Sequence, residues 1–72
     1  MAWFVDGWIW EPVDLVVLRC ARDGRPFRNS PMYRMAAEAL EREGFLAVKD
    51  SLGDRMTASL TSKGQKTAKK VL

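Results

Sequence analysis

Three local patterns follow one another in residues 30–64, SPMYRMAAEALEREGFLAVKDSLGDRMTASLTSKG. The pair Ser30-Pro31 has the residue types that cap and begin a helix. Gly44 is the residue type that commonly ends one. Two strand-like runs follow at 45–50 and 55–60, with a turn between them. This order predicts a helix that leads directly into an antiparallel β-hairpin.

The helix predicted over residues 31–43 has an amphipathic pattern. Apolar residues recur at the i, i+3, i+4, i+7, i+8 spacing of one helix face: Met32, Met35, Ala36, Ala39 and Leu40. We expect this face to pack in the core. The opposite face is expected to be exposed and contains Arg34, Ala37, Glu38 and Glu41. For the two methionines an adaptable binding surface is the alternative.

Two further helices are expected outside this unit. Pro12 suits the first turn of a helix that runs to about Arg22 and ends at Gly24. The segment Arg25–Asn29 after it is expected to be a basic, irregular linker. A last helix is expected to begin at Thr61 or Ser62.

Gly64 lies inside this last helix, where glycine is less favourable than alanine by about 1 kcal/mol. A close approach of the hairpin backbone would explain a glycine at this position.

Residues 1–11 form an aromatic arm that contains Trp3, Trp8 and Trp10. Asp6-Gly7 between two apolar runs predicts a type I′ hairpin, which is too short to be stable alone. We expect it to cover the core or to add a strand to the second hairpin. The tryptophans are interpreted either as a cover for a small core or as anchors of a protein interface.

The composition fits a single domain over residues 1–72, with 47% hydrophobic residues and a net charge of +3. With no His and one Cys, a zinc finger, a His-based triad and a disulfide framework are excluded. No phosphate-binding loop or acid–base pair is present, so we expect no catalytic residue, no metal and no cofactor. We expect a cytoplasmic protein without a membrane span, in which Cys20 is a reduced core residue.

The end of the second helix and the hairpin resemble the winged helix-turn-helix family. The segment ALEREGFL (residues 39–46) is similar to a recognition helix running into a strand, and residues 55–64 end in Leu-Thr-x-x-Gly. This order resembles the MarR and PadR regulators and many small phage and mobile-element proteins. The resemblance covers residues 13–72 and implies an α+β, winged-helix-like fold, with helices packed on a small antiparallel β-hairpin or three-stranded sheet. The family has another short helix before the recognition helix, where this chain has only Arg25–Asn29.

The resemblance implies a small non-enzymatic DNA-binding protein, either a transcriptional regulator or a mobile-element accessory factor. Helix 31–43 would read double-stranded DNA in the major groove, and the wing at residues 49–55 would contact the minor groove or backbone. The DNA-contacting residues would be Arg25, Arg28, Asn29, Ser30, Tyr33, Arg34, Lys49 and Arg55. A homodimer is expected if DNA is the target, because one small module has limited affinity.

The alternative function is a protein-binding module on the same scaffold, for example a phage-encoded inhibitor that docks on a host complex. The short linker, the modest net charge and the acidic residues of the second helix favour it. Its interface with a host protein or a second copy would contain Trp3, Trp8 and Trp10. The basic residues of the last helix, Lys63, Lys66, Lys69 and Lys70, are interpreted either as steering nucleic acid or as a solvated polar face.

Overall fold

The computed structural model describes residues 3–72. Within them the chain has an α+β arrangement of three helices and two small antiparallel sheets. The first sheet contains β1 (Trp3–Val5) and β2 (Trp8–Trp10). The second contains β3 (Phe27–Arg28), β4 (Leu46–Leu52) and β5 (Arg55–Leu60), in the spatial order β3–β5–β4. The helices are α1 (Pro12–Asp23), α2 (Pro31–Arg42) and α3 (Ser62–Val71).

Pro12 begins α1 and Gly24 ends it, as predicted. At its start the backbone N–H of Glu11 donates to Asp14 Oδ2 over 3.1 Å, which satisfies a group that the helix leaves without a partner. At its end Gly24 has a φ of 70°, in the left-handed region that favours glycine. The prediction of a helix from Pro12 to about Arg22 is therefore confirmed to within one residue.

The end of α2 directs the chain into the second sheet. Gly44 has a φ of 87°, and its N–H donates to the carbonyl of Glu41 over 3.0 Å. The N–H of Phe45 reaches back to Leu40 O over 2.9 Å. These two bonds form a Schellman motif, which turns the chain so that the Phe45 ring enters the core, where it is fully buried.

The prediction of an irregular linker at Arg25–Asn29 is wrong, because residues 27–28 form β3. Phe27 is buried and pairs with Met56 of β5, and the Asn29 N–H donates to Asp54 O over 2.7 Å. Pairing with β5 satisfies backbone groups that burial of Phe27 removes from water. The segment is thus a third strand of the sheet, and no helix lies between α1 and α2 in the described chain.

The predicted core face of α2 is also wrong in part. Ala36, Ala37 and Leu40 are buried, whereas Met32 and Met35 are exposed by 58% and 67%. Ala37 was expected on the outer face and is fully buried instead. The buried face is therefore rotated away from the methionines, toward small alanine side chains that allow α2 to pack closely on the rest of the domain.

The second hairpin has a tighter turn than its sequence predicts. β4 continues two residues past Asp50 to Leu52, which leaves Gly53-Asp54 as the turn, with a φ of 60° at Gly53. Val48 pairs with Ala58 and Asp50 with Thr57, so Lys49 is an extra residue in a β-bulge. Along β5, the buried Met56 and Ala58 alternate with the exposed Arg55 and Ser59, so one face of the strand packs in the core.

The contact expected at Gly64 is present. A Cβ on Gly64 would overlap the carbonyl oxygen of Phe45, so α3 packs directly on the chain entering β4. Thr61 rather than Ser62 caps α3, because its hydroxyl accepts from the Gly64 N–H over 3.1 Å.

The N-terminal hairpin covers the core and remains separate from the β3–β5–β4 sheet. Its turn has the positive φ angles of a type I′ hairpin, 53° at Asp6 and 80° at Gly7. Trp10 has no solvent exposure and contacts the Phe45 ring edge-on, with 5.0 Å between ring centroids. The fully buried side chains of Val17, Leu18, Leu40 and Leu46 complete the centre of the domain.

Candidate interaction surfaces

An open groove lies between the N-terminal hairpin, the start of α1 and the outer side of α2. Its volume is about 540 Å³, within the range of about 300–1,000 Å³ that is typical of ligand pockets. Four large apolar side chains in its lining are more than half exposed: Phe4 (73%), Ile9 (56%), Met32 (58%) and Met35 (67%). We call these four residues and the space between them the apolar groove.

A neighbouring depression continues this apolar surface toward α1. It is lined by Glu11, Pro12, Val13, Val16, Met32 and Tyr33. Val16 is 44% exposed. Because Glu11, Val13 and Met32 line both spaces, the two form one continuous surface.

The hairpin wall of the groove is fixed by side-chain hydrogen bonds. Trp8 Nε1 donates to Asp14 Oδ2 over 3.2 Å, which ties β2 to α1. Trp10 Nε1 donates to the carbonyl of Val5 over 3.0 Å, which closes the hairpin on itself. The groove therefore has a wall that is held in place before any partner binds.

The turn of the hairpin is tied to α3. Asp6 accepts hydrogen bonds from Thr67 Oγ1 over 2.6 Å and from Lys70 Nζ over 2.8 Å. These bonds from the Lys70 ammonium and the Thr67 hydroxyl hold the pKa of Asp6 below its ordinary value. On α1, the guanidinium of Arg22 lowers the pKa of Asp23 in the same way.

The tryptophans predicted at a protein interface have different roles. Trp10 is a core residue, so it is not part of an exposed interface. Trp8 is half-buried and lines the apolar groove. The side chain of Trp3 lies outside the described part of the structure. The large apolar residues that the described part of the hairpin exposes are Phe4 and Ile9, which sequence reasoning missed.

The pattern within the hairpin contained a signal for these two residues. Phe4 and Ile9 are directly paired across the strands and therefore share one face of the hairpin. Neighbours along a strand point to the opposite face, so burial of Trp10 implies exposure of Ile9.

Two of the predicted DNA-contacting residues meet at the edge of the second sheet. Arg28 of β3 and Arg55 of β5 are paired directly, so both exposed side chains lie on the same face. No ion pair to a carboxylate forms at either residue within residues 3–72. Asp54 lines the same shallow depression as the two arginines. Arg25 is also exposed, and Lys49 lies in the bulge of β4, on the far side of β5 from Arg28.

The remaining predicted DNA contacts are placed unevenly. Asn29 Nδ2 donates to Ser51 Oγ and Gly53 O, so this amide holds the turn between β4 and β5. Its Oδ1 atom is buried without a hydrogen-bond partner in the described chain. Tyr33 is half-buried against the core and Arg34 is exposed. Ser30 precedes α2, and its side chain makes no capping hydrogen bond in the described structure.

Two of the four lysines of α3 form contacts within the protein. Lys63 Nζ lies 4.4 Å from the centre of the Phe45 ring and donates to Glu43 O over 2.8 Å. Lys70 binds Asp6, as described above. Lys66 and Lys69 are exposed.

Three further features bear on the chemistry of the molecule. Cys20 is buried in α1. Residues 3–72 contain no cluster of three or more potential metal-ligating side chains. None of the helices described for these residues is both long and apolar enough to cross a membrane.

Comparisons of the chain with protein-family models, with curated proteins and with solved structures found no significant match.

Proposed function

We propose that the protein is a non-enzymatic protein-binding module, and that the apolar groove binds an apolar segment of a partner protein. The observation that carries this proposal is the exposure of Phe4, Ile9, Met32 and Met35 on one continuous surface. Single exposed apolar residues are ordinary, but a contiguous group of them is typical of interaction sites.

The residue types in the groove suit this role. Methionine is flexible and polarizable, and it is used where a surface adapts to different apolar partners. Phe4 supplies a rigid aromatic side chain of the kind that anchors interfaces. Because Trp8 and Trp10 fix the hairpin, the partner would bind a preformed surface at a smaller entropic cost.

We infer that the scaffold is winged-helix-like. The order α1, β3, α2, β4, β5 and the position of the second hairpin after α2 support this inference. The missing middle helix favours binding of a protein over the standard docking of a helix-turn-helix on DNA. A role in transcription or in a phage or mobile element, and a cytoplasmic location, remain predictions.

The proposal is tested by selecting binders from a random peptide library on the wild-type protein. We expect selected peptides to lose at least tenfold in affinity for the double variant Met32→Gln/Met35→Gln. Arg34→Gln, exposed on the same helix but outside the lining of the groove, is the control and is expected to bind like the wild type. If no selected peptide distinguishes the double variant from the control, the proposal is wrong.

DNA binding is a second candidate function, favoured by the Arg28–Arg55 pair. Like charges directly opposite each other in a sheet are unfavourable, and a phosphate between them would relieve this repulsion. The exposed residues of α2 include Glu38 and Glu41, which repel phosphates. The contact with DNA would therefore be made by the Arg28–Arg55 pair more than by α2.

This candidate is tested by titrating a labelled random-sequence duplex at increasing salt. We expect the double variant Arg28→Ala/Arg55→Ala to weaken binding and to reduce the slope of log K against log salt by about 1 for each phosphate that is no longer neutralised. Lys66→Ala/Lys69→Ala removes the same charge from α3 as a control. Equal effects of the two double variants would show that only net charge matters.

A further inference from the structure

We infer that the partner segment is cationic, with an apolar stretch flanked by lysine or arginine. This inference rests on the proposed function and specifies the chemistry of the partner. The observation behind it is the charge of the groove lining: its ionisable residues, Glu11 and Asp14, are both acidic.

The N-terminus of α1 favours both carboxylates, because Glu11 is its N-cap and Asp14 lies in its first turn, but no basic side chain lines the groove. The neighbouring depression contains Glu11 as well and no basic residue. Glu38 is exposed one helical turn beyond Met35. The basic residues of α2, Arg34 and Arg42, are outside the lining of both spaces.

Burial of the lining by a partner makes this charge decisive. Asp14 is already only 6% exposed, and its carboxylate is held by Trp8 Nε1 and the Glu11 N–H. A neutral apolar partner would remove water from Glu11 and the remaining water from Asp14, and it would supply no opposite charge in place of that water. Such desolvation is costly for charged groups. A lysine or arginine beside the apolar residues would compensate both carboxylates.

The same charges argue against other occupants. Phosphates of nucleic acid and an anionic lipid surface would be repelled by the acidic lining. A symmetric dimer uses the same patch on both copies, so it would bring two acidic linings together. If this groove bound a basic face of a second copy, the interface would be head-to-tail. Such an interface forms a closed assembly only as a ring.

The test uses the peptides selected on the wild-type protein. We expect apolar residues flanked by Lys or Arg, and an affinity that falls as salt is raised. Glu11→Gln retains hydrogen-bonding capacity and removes one charge, and we expect it to weaken these peptides about two- to fivefold, as for an exposed ion pair. Asp50→Asn removes an exposed charge from the wing and is the control.

The outcomes separate the two proposals. Peptides that depend on Met32 and Met35 but have neutral or acidic flanks would overturn the cationic partner and leave the protein-binding function in place. Selection of no such peptides would overturn the protein-binding function itself. The remaining candidate occupant is a second copy of the chain, which is tested by sedimentation of the protein alone. A dimer that is dissociated by Met32→Gln/Met35→Gln would show that a second copy fills the groove.

Discussion

Gly64 shows how a single missing side chain determines the packing of α3. Replacement by alanine raises helix propensity by about 1 kcal/mol, but the new Cβ would collide with the carbonyl of Phe45, which is backbone and cannot rotate away. The collision outweighs the propensity, so we expect Gly64→Ala to lower the free energy of unfolding by about 2 kcal/mol. Denaturant titration measures this. Gln65 is exposed in the same helix, so the control Gln65→Ala is expected to change the free energy of unfolding by less than about 0.5 kcal/mol.

Asp6 gives a second prediction for a single residue. Because bonds from Lys70 and Thr67 lower its pKa in the folded protein, its carboxylate stabilises the fold above the unfolded value of about 3.9. This contribution is lost as the pH falls through the lowered pKa. We expect Lys70→Gln to raise the pKa of Asp6 in an NMR titration, whereas Lys69→Gln leaves it unchanged. An Asp6 pKa that is the same in both variants would contradict the contact.

Local chemistry made several residues predictable. Asp6-Gly7 and Gly24 have conformations that their residue types favour regardless of their surroundings. The separation of Trp8 from Trp10 could not be predicted as readily, because both are tryptophans in one strand. Both rings contact Phe45 edge-on, with 6.5 Å between centroids for Trp8 and 5.0 Å for Trp10, and Trp8 also donates to Asp14. Their difference therefore depends on how the hairpin packs on the rest of the domain.

At the scale of elements, the orientation of α2 determines which residues are stabilising. Leu40 is fully buried and Met35 is exposed. We expect Leu40→Ala to lower the free energy of unfolding by about 2–5 kcal/mol, and Met35→Ala to change it by less than about 0.5 kcal/mol. Denaturant titrations of the two variants test the orientation. The face that the sequence predicts contains both residues, so a loss for Met35→Ala comparable to that for Leu40→Ala would contradict the observed orientation.

The reason for the wrong face is the composition of α2. Alanines at 36, 37 and 39 fit several adjacent helix faces, and the methionines then determined the predicted face because they are the larger apolar residues. Trp10 and Phe45, which lie outside α2, fill much of the core. The periodicity of the helix alone does not reveal them. β3 was missed for a similar reason, since two residues carry no periodicity and their strand depends on β5.

At the scale of the whole molecule, the α+β class and the order of the helices and second hairpin were predictable, because each begins and ends at recognisable residues. The apolar groove was not predictable as a unit. It combines Phe4 and Ile9 with Met32 and Met35, which are brought together only when the hairpin and α2 pack around the same core. The pairing of β3 with β5 likewise brings together Arg28 and Arg55, which are far apart in the sequence.

The most direct test of the apolar groove is the rate of methionine oxidation by hydrogen peroxide, followed by peptide mass spectrometry with and without a selected peptide. Met56 is 3% exposed and serves as an internal control. We predict rapid oxidation of Met32 and Met35, slow oxidation of Met56, and protection of the first two when the peptide is bound. If Met32 and Met35 are oxidised as slowly as Met56, or if the peptide leaves their rates unchanged, the groove is not the binding surface.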